Sequence, residues 1–264
     1  MAALLGDSGG NQSADKSAAM RLVWSRRAIC QLVAIRSWIA NDSEQDAALV
    51  ASRILRCVEL LPRCAAPLAA LFGMLKGECD GVSIADATAL AVCDNRRISR
   101  HRVFEGKAAR GKTSMGWFFG FKLHLVVNSK GELLSVRLTP GNTDDRKPVP
   151  EMCQGLFGLL FGDKGYISQD LAKTLEEQGL ALVTTLKKNM KPVPRTDFEK
   201  AILHRRSLVE TVIDELKNLC QIEHTRHRSV AGFLVNLMAG VVAYCLSDNK
   251  PSLNLIRTGA LVKA

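Results

Sequence analysis

The stretch that most constrains this chain is Leu159-Leu160-Phe161-Gly162-Asp163-Lys164-Gly165-Tyr166. A short uncharged run leads directly into a carboxylate, and Gly165 then lets the chain turn sharply. A run of this kind bounded by glycine predicts a buried strand of an α/β sheet. Ligands of open α/β sheets gather beyond the carboxyl ends of the strands, and Asp163 falls at such an end. Two readings stay open for it: a site carboxylate, or a cap for the helix that begins near Ser168-Gln169-Asp170.

A second carboxylate stands out upstream. Val82, Ile84, Thr88, Leu90 and Val92 alternate with Ser83, Ala85, Ala87, Ala89 and Ala91, a period of two with one bulky and one small face. Asp86 falls in the bulky row. An ionised carboxylate there costs several kcal/mol unless it is hydrogen-bonded, paired or metal-bound. The segment Asp94–Ser114 follows, with Arg96, Arg97, Arg100, Arg102, Lys107, Arg110 and Lys112 against only Asp94 and Glu105. It reads as a solvated connection or as a surface that tracks phosphates.

Phe119 to Val127 and Leu134 to Leu138 alternate on either side of Asn128-Ser129-Lys130-Gly131. They predict a hairpin that forms an antiparallel meander with the Asp86 strand, with His124 on a sheet face. Thr143, Asp144 and Asp145 predict caps for a helix running towards Gly155. After the Asp163 strand, a helix from about Ser168 to Gln178 ends at Gly179, and a fifth strand spans Leu180 to Leu186. Lys187, Lys188, Lys191 and Arg195 form a second basic cluster. This order predicts three antiparallel strands extended by two parallel ones with crossover helices.

Asp197 to Ile222 contains neither Gly nor Pro and predicts one long helix. Leu208, Val209, Val212, Leu216 and Leu219 share an arc of about 100°, while Arg206, Glu210 and Lys217 lie together on another side. Charges at such spacing ordinarily form a salt-bridge ladder. With Asp86 and Asp163 in need of a partner, Glu210 also reads as a third carboxylate. Three carboxylates suit two hard cations, Mg²⁺ or Mn²⁺, of the kind that clamp an in-line phosphoryl displacement. Arg206 and Lys217 beside them would hold phosphates.

Composition then narrows the partners. Lys and Arg outnumber Asp and Glu by 36 to 26, giving a net charge of +10, which favours nucleic acid or an anionic membrane surface. Ser229–Ser247 is uncharged and long enough to be a membrane-span candidate, yet Asn236, Gly232 and Gly240 make a buried helix the better reading. The eight cysteines form no C-x-x-C pair and read as reduced, buried thiols of a cytosolic protein. Residues 1–20 read as disordered, and residues 21–76 as helical, with Arg21–Ala40 and Leu49–Leu61 as candidates and Pro62 and Pro67 as breaks.

At this point the chain resembles the DDE transposases of bacterial insertion sequences, whose ribonuclease H-like fold is shared with retroviral integrases. The resemblance covers roughly Arg56 to Leu255. It rests on Asp86-Ala87-Thr88-Ala89-Leu90, Asn95-Arg96-Arg97-Ile98, Gly116-Trp117-Phe118-Phe119-Gly120-Phe121-Lys122-Leu123-His124, Pro140-Gly141-Asn142, Gly162-Asp163-Lys164-Gly165-Tyr166 and Arg206-x3-Glu210-x6-Lys217. It implies an α/β, ribonuclease H-like mixed five-stranded sheet flanked by helices over residues 77–255. A small helical, altered DNA-binding region (21–76) would precede it and a tail (256–264) would follow.

The resemblance further implies Asp86, Asp163 and Glu210 as a catalytic triad holding Mg²⁺ or Mn²⁺, two ions in all. Arg206 and Lys217 would contact transposon-end DNA. Arg96, Arg97, Arg100, Lys112, Lys187 and Lys188, with Arg226 and Arg228, would complete the DNA surface. The partners would be element ends and target DNA, bound by a homodimer or larger assembly in the bacterial cytoplasm, with no membrane and no small-molecule substrate. Two departures are visible: Leu203 stands where related transposases often carry Tyr, and residues 1–50 look unlike the family. The alternative function is a catalytically incompetent DNA-binding remnant with a decayed N-terminus.

Overall fold

The computed structural model of the chain describes residues 26–60, 64–191, 193–223, 227–253 and 255. The elements run α1 (Arg26–Ala40), α2 (Glu44–Leu60), α3 (Ala65–Leu75), β1 (Val82–Cys93), β2 (Ala109–Thr113), β3 (Gly116–Asn128) and β4 (Leu133–Pro140). They continue with α4 (Val149–Met152), β5 (Gly158–Gly162), α5 (Gln169–Glu177), β6 (Leu180–Thr184), α6 (Asp197–His204), α7 (Ser207–Asn218) and α8 (Val230–Leu246). The expectations for residues 1–20, for the start of the first helix candidate and for the tail 256–264 lie outside the described residues.

The sheet follows from the two-residue periods. β3 pairs antiparallel with β1 and with β4, and β5 pairs parallel with β1 and then with β6. The five expected strands are joined by a sixth. β2, cut from the basic segment after β1, pairs antiparallel with residues 116–120 of β3, and β4 takes residues 121–127. The overhang of β3 past β4 leaves backbone groups that β2 satisfies, so Ala-Arg-Gly-Lys-Thr becomes a strand without any apolar alternation.

Helices cover both faces of the sheet. Ile84, Leu90, Phe121, Leu123, Leu125 and Phe161 face a core completed by Ala65 of α3, Ile202 of α6, Val209, Val212 and Leu216 of α7, and Phe233 to Val241 of α8. Ala85, Val126 and Leu160 face a second core with Val149 and Met152 of α4 and Leu171 and Leu175 of α5. Burying each large aliphatic side chain contributes roughly 1.5–3 kcal/mol, so α7 is held down chiefly by Val209, Val212 and Leu216, all fully buried. α8 is the uncharged segment. Its N-cap is Ser229, whose hydroxyl accepts from the Gly232 amide at 3.0 Å, and its Tyr244 hydroxyl donates to the Gly131 carbonyl in the β3–β4 turn at 2.7 Å. Among the described residues no helix is long and apolar enough to cross a membrane.

Several expectations are corrected here. The long helix from Asp197 is two helices, broken at Arg205 and Arg206 without any Gly or Pro. Arg205 donates to the Leu253 carbonyl at 2.8 Å, and the two segments take separate places in the core. Tertiary contacts override propensity at that point. Leu219 does not share the buried arc; it is the C-cap of α7 and is 76% exposed. Asp144 and Asp145 cap no helix towards Gly155, because Pro148 and Pro150 confine α4 to a single turn. Pro67 breaks nothing, since it lies in the first turn of α3, where the missing amide hydrogen has no intrahelical partner to lose. The cysteines are not uniformly buried: Cys153 is, Cys30 is exposed, and Cys79, Cys93, Cys220 and Cys245 are intermediate.

α1 and α2 pack against one another, whereas α3 packs on α8. The last helix of the N-terminal region therefore sits on the sheet domain's own core.

Candidate functional site

Asp86 lies in the middle of β1, on the face covered by α7. Its Oδ1 accepts from the Ala87 amide at 2.8 Å, and Arg206 approaches its Oδ2 at 3.8 Å. The side chain is only 22% exposed. Burial pushes the Asp86 carboxyl up to about 6; the Ala87 amide and Arg206 oppose the rise, and the charges of Asp163 and Glu210 add to it.

Asp163 follows directly on β5. The parallel register of Ile84 with Phe161, continued by two residues, brings Asp163 level with Asp86 on the neighbouring strand. Phe161 shares the α7-side core with Ile84, so the two-residue period turns Asp163 to the same face. Asp163 does not cap α5; Ser168 does, through the Leu171 amide. Instead its Oδ1 accepts from the Gly165 amide at 2.6 Å in a short 3-10 turn, Lys164–Tyr166. A Cβ on Gly165 would stand 2.8 Å from that oxygen, so a larger residue there would push the Asp163 carboxylate aside.

Glu210 reaches the same neighbourhood from the first turn of α7. Its Oε1 lies 3.2 Å from Arg206, and the side chain is 57% exposed. Arg206 thus stands between two carboxylates, Asp86 of the sheet and Glu210 of the helix. Among the described residues, no group of three or more His, Cys, Asp or Glu side chains is gathered closely enough to hold an ion. Glu210 is turned to Arg206 and Asp163 to its own turn. Chemically the donor set still fits a hard divalent cation: it is all carboxylate oxygen, and the desolvated Asp86 gains from any cation placed beside it.

The expected DNA-contacting cations divide between separate places. Lys187 and Lys188 line an open cleft of about 740 Å³ together with Asp163, Lys164 and Arg146. Lys112 lies over the exposed Trp117 ring, 5.7 Å from its centre, beside a hollow shared by Arg110, Lys122, Asp145 and Arg146. Arg96, Arg97 and Arg100 line a third cavity with Arg228. Arg226 lies outside the described residues.

Lys217 is mostly buried, its ammonium donating to the Ala89 carbonyl at 3.1 Å and pairing with Glu223 at 3.1 Å. Sequence reasoning missed Arg146, which closes on Asp144 and stands beside Asp163. It also missed Lys122, held by Asp145 at 2.8 Å. His124 is a sheet-face residue as expected: its Nε2 lies 2.8 Å from Thr139 Oγ1, and burial lowers it to about 4.

The family model described as "Transposase DDE domain" matches residues 76–230, more than half of the chain. The chain belongs to this family of DDE transposase domains. Solved structures with which it shares likeness include a piggyBac transposase synaptic complex with hairpin DNA, at 13% identity and a TM-score of 0.43, covering 71% of this chain and 50% of that one. Another is a simian T-cell lymphotropic virus intasome in complex with PP2A regulatory subunit B56 gamma, at 12% identity and a TM-score of 0.31, covering 61% and 49%. The chain spans about half the length of each. No curated protein matches it. Among the described residues the domain is a six-stranded mixed sheet flanked by helices on both faces.

Proposed function

We propose that this DDE domain is the catalytic part of a DNA transposase, cleaving a strand at the ends of a mobile element and joining the 3′-hydroxyl to target DNA. The observation that carries the proposal is Asp86: a desolvated carboxylate, level with Asp163, tied to Glu210 through Arg206. Structural carboxylates are rarely left with their charge so poorly compensated, whereas sites that hold a cation only during reaction are. Asp86, Asp163 and Glu210 would hold Mg²⁺ or Mn²⁺, and two such ions would stabilise the attacking and leaving oxygens of a displacement at phosphorus.

The chain's own groups have separate tasks in this reading. Arg206 screens Asp86 from Glu210 until a phosphate offers its fork a better-matched partner. Lys187, Lys188 and Arg146 attract the DNA backbone into the cleft beside Asp163. Lys217 anchors α7 to β1 through the Ala89 carbonyl, so it positions Glu210 instead of meeting DNA.

The test compares wild type with Glu210→Gln for Mg²⁺-dependent nicking of a plasmid carrying the sequences that flank the gene. Gln keeps the shape and helix propensity but removes the charge. Nicking by wild type and none by Glu210→Gln, with both binding the DNA, supports the proposal. Equal nicking by both removes Glu210 from the chemistry. Absence of nicking by either, with DNA binding intact, favours the remnant.

A further inference from the structure

The cavity beyond the end of β1 is not explained by the carboxylate site. It is lined by Arg96, Arg97 and Arg100 from the 3-10 turn Asn95–Arg100 and by Arg228 from the approach to α8, and has a volume of about 710 Å³. Among the described residues none of the four arginines makes an ion pair, although their repulsion should favour one. Asp94, the one acid in the lining among the described residues, caps the turn by accepting from the Arg96 amide at 2.9 Å, which leaves the four arginines in excess over it. His101 lines the same cavity, and its Nδ1 is buried with no hydrogen-bond partner among the described residues. Planar guanidinium forks brought together from two segments suit oxyanions, and phosphate above all. A merely solvated basic turn would not need Arg228, brought from a distant segment to the same open hollow.

The position supplies the class of partner. Asp86 and Cys93 lie on one strand, seven residues apart, hence roughly 23 Å at about 3.3 Å per residue. A duplex advances about 3.4 Å per base pair, so this distance is roughly seven base pairs. We infer that the arginine cavity is a second phosphate station, gripping the backbone of duplex DNA about seven base pairs from the strand held at Asp86 and Asp163. The inference rests on the reading of the chain as a DNA-acting enzyme, and its test is a binding measurement that needs no cleavage.

Arg97→Ala/Arg100→Ala is compared with wild type and with Arg97→Lys/Arg100→Lys in titrations of a 20-base-pair duplex across salt concentrations. Losing two phosphate contacts lowers the log–log salt slope by about 1.8, so the affinity gap to wild type should be about 12-fold wider at 50 mM than at 200 mM salt. The lysine pair should keep most of the slope, and Lys173→Ala, on the exposed side of α5, should leave it unchanged. A hairpin with a five-base-pair stem cannot reach both stations and binds through the Lys187/Lys188 cleft alone, so the alanine pair should weaken it less than twofold. Equal losses on stem and duplex, or an unchanged slope on the duplex, would overturn the second station. If the alanine pair loses tripolyphosphate but keeps the duplex, the cavity serves free polyphosphate and the inference also fails. Nicking that survives such a result leaves the transposase reading standing.

Discussion

Replacing Asp86 with Asn should make the isolated protein more stable. Raising the Asp86 carboxyl from 3.8 to about 6 corresponds to about 3 kcal/mol of unfavourable charge burial at neutral pH, with the opposing help of Arg206 already included. Asn keeps the oxygen that accepts from the Ala87 amide, and its own burial offsets part of the gain. A net stabilisation of about 1–3 kcal/mol follows, or a Tm several degrees higher for a protein of this size. The pH dependence fixes the cause. Between the unfolded value of 3.8 and the folded value near 6, the native state binds more protons than the unfolded one, so the wild type recovers stability as pH falls. The gap between Asp86→Asn and wild type should therefore be full above pH 7, narrow through pH 6 to 4, and vanish below that. Mg²⁺ should close it from the other side by stabilising wild type alone, by about 1.4 kcal/mol at ten times its Kd. Thermal melts of both proteins at pH 7.5, 6, 5 and 4, with and without Mg²⁺, are the assay. A variant no more stable than wild type at pH 7.5, or a gap independent of pH, would refute the reasoning.

Gly165→Ala should cost about 1 kcal/mol in denaturant titrations and lower nicking, since its Cβ would crowd the Asp163 oxygen that caps the turn. Lys217→Met should loosen α7 by about 1–3 kcal/mol through the Ala89 carbonyl it leaves unpaired, while the salt slope of duplex binding stays within a few tenths of wild type. Burial holds His124 near 4, below its ordinary 6.5, so stability is lost as pH falls from about 6.5 towards 4. His124→Asn should flatten that acid limb in pH-dependent melts.

The parts of the fold that were legible share a local cause. β1, β3 and β4 carry a clean period of two, α5 has Ser168 before it and Gly179 after it, and α8 is uncharged between polar ends. Where local pattern and tertiary demand differ, the reading failed. β2 exists because β3 is longer than β4, which nothing in Ala109–Thr113 announces. The break at Arg205 follows from a carbonyl at Leu253, 48 residues away.

The same distinction explains which site residues could be found. A carboxylate in a bulky strand row, or at the end of an apolar run, violates its surroundings, and that conflict is visible without coordinates. A surface cation violates nothing. Lys217 and Lys187 look alike in sequence, yet one is pinned to a strand carbonyl and the other lines the cleft of Asp163. Arg146, inside a turn rich in acids, is not singled out by the sequence; it pairs with Asp144, and that pairing also delivers it to the cleft. Asp86 therefore announces itself through the cost of its burial, whereas Glu210, 57% exposed, is found only through its spacing with Arg206 and Lys217. Which cations stay free to line the cleft emerges only once the chain is folded, because it is set by which acids and carbonyls are left over to neutralise them.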